Sequence, residues 1–308
     1  MKLVTILILF SAFACTFETK KANAAVATLQ KKPRFSLRFL YHNLFGKLIR
    51  KSLTKKWFSA AAGWYCDRSI SKYHIKSFVK NNFIVIEDAE KKITEFKTFN
   101  EFFIRKLKPK ARPIDPHPEH IISPADGTVI IMHNATRSMR FPIKQSHFNL
   151  EQFLGSTSLA ESFEGGTIMI FRLAPHDYHR FHFPLDCVPL KAHVIHGRYE
   201  SVHPLVYLTG IQPLTENERH LTLLETQPCG TVAFVSVGAL CVGKIIETHT
   251  PHQAHTKGDE AGYFCFGGST IVLIFKKGTI EVNPDILKNS LEGKEVPILM
   301  GQKVARQL

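Results

Sequence analysis

The sequence has little of what metal sites and disulfide frameworks require. Its 308 residues include six cysteines, at positions 15, 66, 187, 229, 241 and 265, and no two of them form a Cys-x-x-Cys pair. Three of the sixteen histidines, His176, His179 and His182, are three residues apart, but they do not follow the His-Glu-x-x-His pattern of zinc enzymes. We therefore predict scattered buried thiols and no metal site.

Acidic residues are also scarce. The chain has 26 Asp and Glu against 40 Lys and Arg, a formal net charge of +14, which predicts a negatively charged partner. Nucleic acid and an anionic membrane both qualify, but the sequence contains no recognised nucleic-acid module and no zinc-finger spacing. It also lacks a P-loop, a dinucleotide-binding glycine motif and any internal repeat. We therefore expect an anionic membrane surface and no nucleic acid.

The apolar run at the N-terminus is short. It covers Leu3 to Phe17, after Met1-Lys2, and about 20 residues are needed to cross a bilayer of about 30 Å. Ala22-Asn23-Ala24 offers a small-residue cleavage site. We expect residues 1–24 to be a signal-like or anchor-like leader. A cleaved signal, an uncleaved anchor and an organellar presequence all stay open.

Residues 31–58 mix basic side chains with large apolar ones. The basic residues are Lys32, Arg34, Arg38, Lys47, Arg50, Lys51, Lys55 and Lys56, and the apolar residues include Phe35, Phe39, Leu44, Phe45, Leu48, Ile49, Trp57 and Phe58. A basic amphipathic segment of this kind favours the headgroup layer of a membrane. The alternative is a helix docked on the core of its own domain with a solvated basic edge.

The organisation of the chain predicts helices first and a sheet later. Residues 35–80 and Lys91 to Leu107 carry apolar residues near helical spacing. From about residue 121, short apolar runs such as Thr167–Arg172, Val188–Ile195 and Ile271–Phe275 are bounded by turn residues, which is typical of an antiparallel sheet. We expect an α+β fold, with a helical, basic, membrane-associating region over residues 25–110 and a β-rich antiparallel catalytic domain over 111–308.

Three local patterns carry candidate chemistry. Phe266-Gly267-Gly268-Ser269-Thr270 places a serine after small residues and before an apolar strand, where its hydroxyl can reach the preceding carbonyl. Asp126 follows Ser123-Pro124-Ala125 in a turn, and His179 and His182 lie in the aromatic segment Pro175–Pro184. Each pattern by itself also fits an ordinary turn or a structural histidine.

Together, these patterns closely resemble those of the phosphatidylserine decarboxylases. The resemblance covers residues 35–305 and depends on four segments in order: Phe102–Pro109 (FFIRKLKP), Ser123–Gly127 (SPADG), Asp177–His182 (DYHRFH) and Gly267–Thr270 (GGST). Members of part of the family have Leu-Gly-Ser before the threonine, so Gly267 places this chain with the Gly-Gly-Ser-Thr branch.

The resemblance implies a covalent pyruvoyl cofactor made from the chain itself. The Ser269 hydroxyl would attack the Gly268 carbonyl, and elimination would split the chain between Gly268 and Ser269 into a large and a small chain, the small one capped by a pyruvoyl group derived from Ser269. This group would form a Schiff base with phosphatidylserine and act as the electron sink for loss of CO2, leaving phosphatidylethanolamine.

The resemblance also implies a role for each candidate residue. His182, held by Asp126, would activate Ser269, while His179 would act next to the substrate in the decarboxylation. The expected location is a membrane surface to which the enzyme binds peripherally: the bacterial cell membrane, or an organellar membrane in a eukaryote. Homo-oligomerisation stays open.

Two other classes of function fit part of the sequence. A serine hydrolase or acyltransferase would use Ser269, His182 and Asp126 as a triad, but the chain lacks the Gly-x-Ser-x-Gly elbow. A basic membrane-binding protein without catalysis would explain the charge and leave the four candidate residues without a role.

Overall fold

A computed structural model describes residues 35–140, 147–240, 244–267 and 269–308. The predicted leader over residues 1–24 and the cleavage-site residue Gly268 lie outside the described residues. Within the described part, a group of helices precedes a β-rich region, which confirms the predicted α+β class.

The N-terminal region is helical. Its helices are α1 (Phe35–His42), α2 (Leu44–Leu53), α3 (Lys56–Cys66), α4 (Ile75–Asn82) and α5 (Phe99–Phe103), with 3-10 turns at Ser69–His74, Ile86–Asp88 and Ile93–Glu95. Helix α2 begins after Asn43, whose side chain accepts hydrogen bonds from the amides of Phe45 and Gly46. No helix within the described ranges is long and apolar enough to cross a membrane.

The prediction of one helix from Lys91 to Leu107 is wrong, because only Phe99–Phe103 is α-helical there. Thr98 has an extended backbone, and its hydroxyl accepts from the amide of Glu101, so the helix begins at Phe99. Four of the apolar residues that gave the helical spacing, Phe96, Phe99, Phe102 and Phe103, are buried in one aromatic cluster, which Phe96 reaches from outside α5.

The β-rich region contains sixteen strands among the described residues. They are β1 (His120–Ile122), β2 (Gly127–Met132), β3 (Ser138–Arg140), β4 (His147–Asn149), β5 (Thr167–Leu173), β6 (Arg180–His182), β7 (Val188–Pro189), β8 (His193–Ile195), β9 (Arg219–Thr226), β10 (Gly230–Val237), β11 (Ile245–Glu247), β12 (Glu260–Phe264), β13 (Ser269–Phe275), β14 (Ile280–Val282), β15 (Val296–Ile298) and β16 (Lys303–Gln307). Short helices lie between them: α6 (Leu150–Leu154), α7 (Thr157–Ser162), α8 (Pro204–Tyr207), α9 (Pro213–Glu216) and α10 (Pro284–Leu291). The strand predicted over Val188–Ile195 is divided into β7 and β8, because residues 190–192 contain one residue more than the stretch of β9 that they face, which interrupts the ladder.

The main sheet has eight strands in the order β15-β2-β5-β13-β10-β9-β7, with β8 also paired to β9. Its pairings are antiparallel, as predicted. Two smaller sheets, β1-β16-β14 and β11-β12-β6, and the β3-β4 hairpin complete the region.

The central strands of the main sheet are buried on both faces. On β13, Ile271, Leu273 and Phe275 belong to one apolar cluster, while Val272 and Ile274 belong to the cluster on the other face. A strand buried on both sides has no need of polar alternation, which explains the continuous apolar run of the sequence. Strand β13 therefore provides a rigid base for Ser269, its first residue.

Two further apolar clusters join the helices to the β-rich region. The aromatic cluster around Phe99, Phe102 and Phe103 includes Phe266, and the cluster of α1 to α3 includes Val206 and Leu240. The helices thus pack directly against segments of the β-rich region. The division of the chain near residue 110 stays a prediction.

Candidate active site

Ser269 lies at the start of β13 and is fully buried. Its backbone is paired with Leu173 on β5. Gly267, two residues earlier, has a φ of 139°, a conformation that residues with a Cβ rarely adopt. The sequence therefore places Ser269 directly after a turn whose backbone conformation requires a glycine.

The Ser269 hydroxyl contacts an imidazole. Its Oγ is 3.4 Å from Nδ1 of His179, and the other ring nitrogen of His179, Nε2, is 3.1 Å from the carbonyl oxygen of Ala174. A carbonyl only accepts hydrogen bonds, so Nε2 carries the proton and the lone pair of Nδ1 faces Ser269. This tautomer is the one that can take a proton from the hydroxyl.

Burial keeps His179 neutral. The ring is completely buried and stacks on Phe103, with ring centroids 4.0 Å apart. Burial, together with the positive charge of Arg105, lowers the pKa of His179 to about 3. The imidazole is therefore uncharged at neutral pH and able to accept a proton.

His182 has different partners. Its Nδ1 is 2.9 Å from the carbonyl oxygen of Gly258, and its Nε2 is 3.4 Å from the hydroxyl of Tyr178. The Gly258 carbonyl fixes Nδ1 as the donor and leaves Nε2 as the acceptor. Burial lowers the pKa of His182, so this imidazole is neutral as well.

Asp126 is bound to an arginine. Nε of Arg112 lies 2.8 Å from Oδ1 and Nη2 lies 2.6 Å from Oδ2, while the amide of Met300 donates to Oδ1 at 2.9 Å. The adjacent Gly127 has a φ of 145°, and a Cβ there would lie 2.3 Å from the carbonyl oxygen of Arg172. The glycine of the Asp-Gly pair is thus required by the close approach of β5.

The sheet brings Asp126 and Ser269 to the same region. Thr128 and Thr270 both pair with Arg172, so the starts of β2 and β13 lie on either side of the end of β5. Two inter-strand spacings separate their backbones by about 10 Å. Within the described residues, however, Ser269, His182 and Asp126 do not form a hydrogen-bonded chain, since each binds another group.

Two basic residues next to the contacts of His182 are already paired. Arg180 donates to both carboxylate oxygens of Glu260 and to the carbonyl of Ile104. Lys257 extends its ammonium group to the carbonyl of His117. Because both side chains are already paired, neither Arg180 nor Lys257 offers its charge to Ser269.

Three residues at the site escaped the sequence reasoning. Phe103 supports the His179 ring, Arg112 neutralises Asp126, and Arg105 is a buried cation near both. In the sequence, Arg105 could have been noticed as a charged residue directly after the apolar run Phe102-Phe103-Ile104. Phe103 and Arg105 also lie in the family segment Phe102–Pro109, whereas Arg112 lies outside all four segments and had no signal.

One cluster with metal-ligand chemistry occurs among the described residues. Asp115, His117 and His120 have ligand atoms within 4.8 Å of one another. The Lys303 ammonium lies 2.9 Å from Nε2 of His120, and a positive charge there opposes a cation. The residues of this cluster are distinct from the four predicted catalytic residues.

Comparison with known proteins agrees with the predicted family. The family model described as phosphatidylserine decarboxylase matches residues 99–306. The chain is 40% identical over 274 residues, 89% of its length and 92% of the relative, to the phosphatidylserine decarboxylase proenzyme of Chlamydia felis. It is 39% identical over 275 residues, 88% of its length and 91% of the relative, to the proenzyme of Fusobacterium nucleatum. The proenzyme of Clostridium novyi is 40% identical over 273 residues.

Proposed function

Because the chain belongs to the phosphatidylserine decarboxylase family, we propose that it converts phosphatidylserine to phosphatidylethanolamine and CO2, with a pyruvoyl group formed at position 269 as its cofactor. The observation that carries this proposal is the contact between the Ser269 hydroxyl and Nδ1 of His179 in a fully buried position. The predicted family resemblance is confirmed by the comparisons.

The residues of the site fit a self-cleavage that makes the cofactor. Oγ of Ser269 attacks the carbonyl carbon of Gly268 and loses its proton, while the peptide C–N bond breaks and the nitrogen of Ser269 takes up a proton. Removal of the Cα proton then breaks the Cβ–Oγ bond and leaves a carboxylate on Gly268. The resulting dehydroalanine reacts with water and releases ammonia. The products are a large chain ending at Gly268 and a small chain of 40 residues, 269–308.

The base of this self-cleavage is the point on which resemblance and contact differ. The resemblance gives the role to His182 with Asp126, whose negative charge favours the protonated form of His182. In the uncleaved chain Asp126 binds Arg112, and it would have to release Arg112 before it could hold His182. We propose His182 with Asp126 as the base. The contact of His179 with Ser269 makes His179 the alternative.

In the decarboxylation we propose that His179 acts at the reacting carbon. A pyruvoyl group supplies the carbonyl electron sink that no side chain of the chain provides. His179 is already 3.4 Å from the side chain of position 269, where it can exchange a proton with the substrate. The stacked ring of Phe103 keeps water from His179, and a water-poor site favours the loss of a carboxylate charge as neutral CO2.

Two imidazole variants distinguish these roles. In His182→Gln, the proposal expects a single uncut chain, because loss of a general base slows a step by roughly 100- to 10,000-fold. His179→Gln should be cut into two chains but release no CO2. Ser269→Ala, which has no attacking hydroxyl, is the control for an uncut chain. Uncut His179→Gln together with normally cut His182→Gln would transfer the base role to His179.

Intact mass tests the proposed function itself. The wild-type protein should give a small chain that is blocked to N-terminal sequencing and lighter by about 17 Da than residues 269–308 released by hydrolysis, because an amine and a hydroxyl have been replaced by a ketone. Phosphatidylserine vesicles should release CO2 only with this cut form. A folded wild type that stays uncut and inactive on phosphatidylserine would reject the proposal and favour the hydrolase or a membrane-binding protein.

We further propose peripheral association with an anionic membrane, the bacterial cell membrane, through a helical face on α2 and α3. This helical face consists of exposed apolar residues, Leu44, Phe45, Leu48, Ile49, Trp57 and Trp64, together with the exposed lysines Lys47, Lys51, Lys55 and Lys56. Phe45 is 73% exposed and Leu48 is 63% exposed, although both are large and apolar. Apolar groups ringed by lysines suit the headgroup layer of anionic lipids.

Vesicle sedimentation tests the helical face. Replacing Phe45 and Leu48 together by Ser should lower binding to phosphatidylserine-containing vesicles by roughly 10-fold or more, since each side chain loses the gain of apolar burial. Leu291→Ser is the matched control, because Leu291 is 76% exposed on α10, outside the helical face. Equal losses in both variants, or none in the double variant, would contradict membrane binding by α2 and α3.

A further inference from the structure

Arg105 is a buried cation that is only partly bonded. The residue is 5% exposed, and Ile104 alone separates it from the end of α5. Its Nη2 donates to the carbonyl oxygens of His176 at 3.2 Å and Asp177 at 3.4 Å, and its guanidinium lies over the ring of Phe102. Its Nε and Nη1 are buried and have no hydrogen-bond partner among the described residues.

Such an arrangement is costly unless a further group joins it. Buried N–H groups are nearly always hydrogen-bonded, and the penalty is larger when the group is charged. Burial lowers the pKa of Arg105 only to about 10, so the guanidinium remains charged at neutral pH. Asp126 and Asp177 are the nearby negative charges and Arg112 is an opposing positive one, but neither carboxylate bonds to Arg105.

The free nitrogens belong to the neighbourhood of the reacting residue. Arg105 holds the carbonyls of residues 176 and 177, just before His179 in the chain, and Phe103 stacks on the His179 ring. The two other cations considered, Arg180 and Lys257, already have partners. Among these cations, Arg105 is the one with buried donors left over.

We propose that Arg105 binds the phosphodiester of the substrate headgroup, an inference that depends on the proposed function. The substrate carries two anions, the phosphodiester and the α-carboxylate. A cation bound to the carboxylate would stabilise the ground state against loss of CO2, whereas the phosphodiester keeps its charge throughout the reaction. Unused donors on a fixed, charged guanidinium suit this persistent anion.

Cleavage gives the substrate a way to approach. In the uncleaved chain, Phe266 packs against Phe103 with ring centroids 5.2 Å apart, and it lies two residues before the new chain end at Gly268. We expect release of that end to loosen the aromatic cluster that contains Phe103 and Phe266. The phosphodiester site therefore belongs to the processed enzyme.

The test uses purified, cleaved enzyme and dihexanoyl-phosphatidylserine as a soluble monomer. Arg105→Met should raise KM roughly 10- to 100-fold, the loss expected for a hydrogen bond to a charged group. This change in KM should exceed the change in kcat, which also responds to the effect of the Arg105 charge on the pKa of His179. Arg105→Lys, which retains a charge, should fall between Arg105→Met and wild type. If Arg105→Met does not fold or cleave, the same comparison is made with Arg105→Lys.

Arg219→Met is the matched control. Arg219 is also buried, lies over the ring of Phe153 and donates to backbone carbonyls, but its Nε, Nη1 and Nη2 all have partners. We expect Arg219→Met to lower the free energy of unfolding, because backbone carbonyls lose their donors. KM should stay within about twofold of wild type, since the Arg219 nitrogens already have partners within the protein.

Two soluble inhibitors identify which anion is bound. Glycerophosphoethanolamine has the phosphodiester without the carboxylate, and O-methylserine has the carboxylate without phosphate. Inhibition by glycerophosphoethanolamine should weaken in the Arg105 variants by the same factor as KM, while inhibition by O-methylserine stays constant. The reverse pattern would overturn the proposal in favour of the carboxylate.

Other outcomes also decide the question. A normal KM with reduced self-cleavage would mean that Arg105 serves the new Gly268 carboxylate or the fold, and would overturn the proposal. A wild type that is neither cut nor active would reject the proposed function instead. Active wild type with an unchanged KM in the Arg105 variants would reject the phosphodiester site alone.

Discussion

The neutral state of His179 has a measurable consequence for stability. Its pKa is lowered to about 3 in the folded protein, against the ordinary value of 6.5 in the unfolded chain. Below pH 6.5, the unfolded chain therefore binds a proton that the folded protein does not bind. The free energy of unfolding must therefore fall as the pH falls from 6.5 towards 3. The contribution of the neutral His179 ring to stability is present above pH 6.5 and is lost over this range.

The size of the effect follows from the same shift. Each pH unit in this window costs about 1.4 kcal/mol, so His179 alone should remove about 2 kcal/mol between pH 6.5 and pH 5. The lowered pKa of His182 acts in the same direction, whereas the raised pKa of Asp177 acts in the opposite direction. A single curve therefore cannot isolate His179, and the comparison must be made between variants.

Urea unfolding at pH 7, 6 and 5 provides the assay, in Ser269→Ala protein to keep the chain uncut. Ser269→Ala should lose about 2 kcal/mol more on acidification to pH 5 than the double variant that also carries His179→Gln, because glutamine binds no proton. His193→Gln, in the same Ser269→Ala background, is the control, since His193 is exposed on β8. Its pH dependence should match that of Ser269→Ala.

Equal pH dependence in Ser269→Ala and in the double variant would refute this reasoning. The imidazole would then take up a proton in the folded protein at an ordinary pH. A protonated Nδ1 could not accept a hydrogen bond from Ser269, so the proposed roles of His179 would also fail.

Three further variants test the supports of the site. Asp126→Asn removes the charge that Arg112 binds and should lower the free energy of unfolding by about 2–3 kcal/mol in denaturant titration, less if Arg112 turns to solvent. Gly127→Ala forces a Cβ into the backbone of β5 at a φ of 145° and should lower the thermal midpoint and slow self-cleavage, as followed by electrophoresis. Phe103→Leu removes the ring stacked on His179 and should reduce CO2 release more than self-cleavage if His179 serves the decarboxylation, with normal release counting against that role.

Much of the fold was readable from local patterns. The apolar runs Thr167–Arg172 and Ile271–Phe275 were bounded by turn residues, and the structure places β5 and β13 there. A continuous apolar run lacks the alternation of a half-buried strand, but its short length, its bounding turn residues and its β-branched side chains indicate a strand buried on both faces. The helix expected from Lys91 to Leu107 failed because aromatic side chains at helical spacing can also reach one cluster from turns.

The sequence by itself determined the family, the α+β class and the four candidate residues, because these depend on residue types at fixed positions along the chain. Which imidazole meets Ser269 was decided only by the tertiary structure. His179 and His182 are three residues apart. The Ala174 carbonyl that orients His179 lies five residues earlier in the chain, whereas the Gly258 carbonyl that orients His182 comes from a segment 76 residues away. The binding of Asp126 by Arg112 and the unused donors of Arg105 likewise arise from packing between segments, since a hydrogen-bond partner is chosen by distance in space.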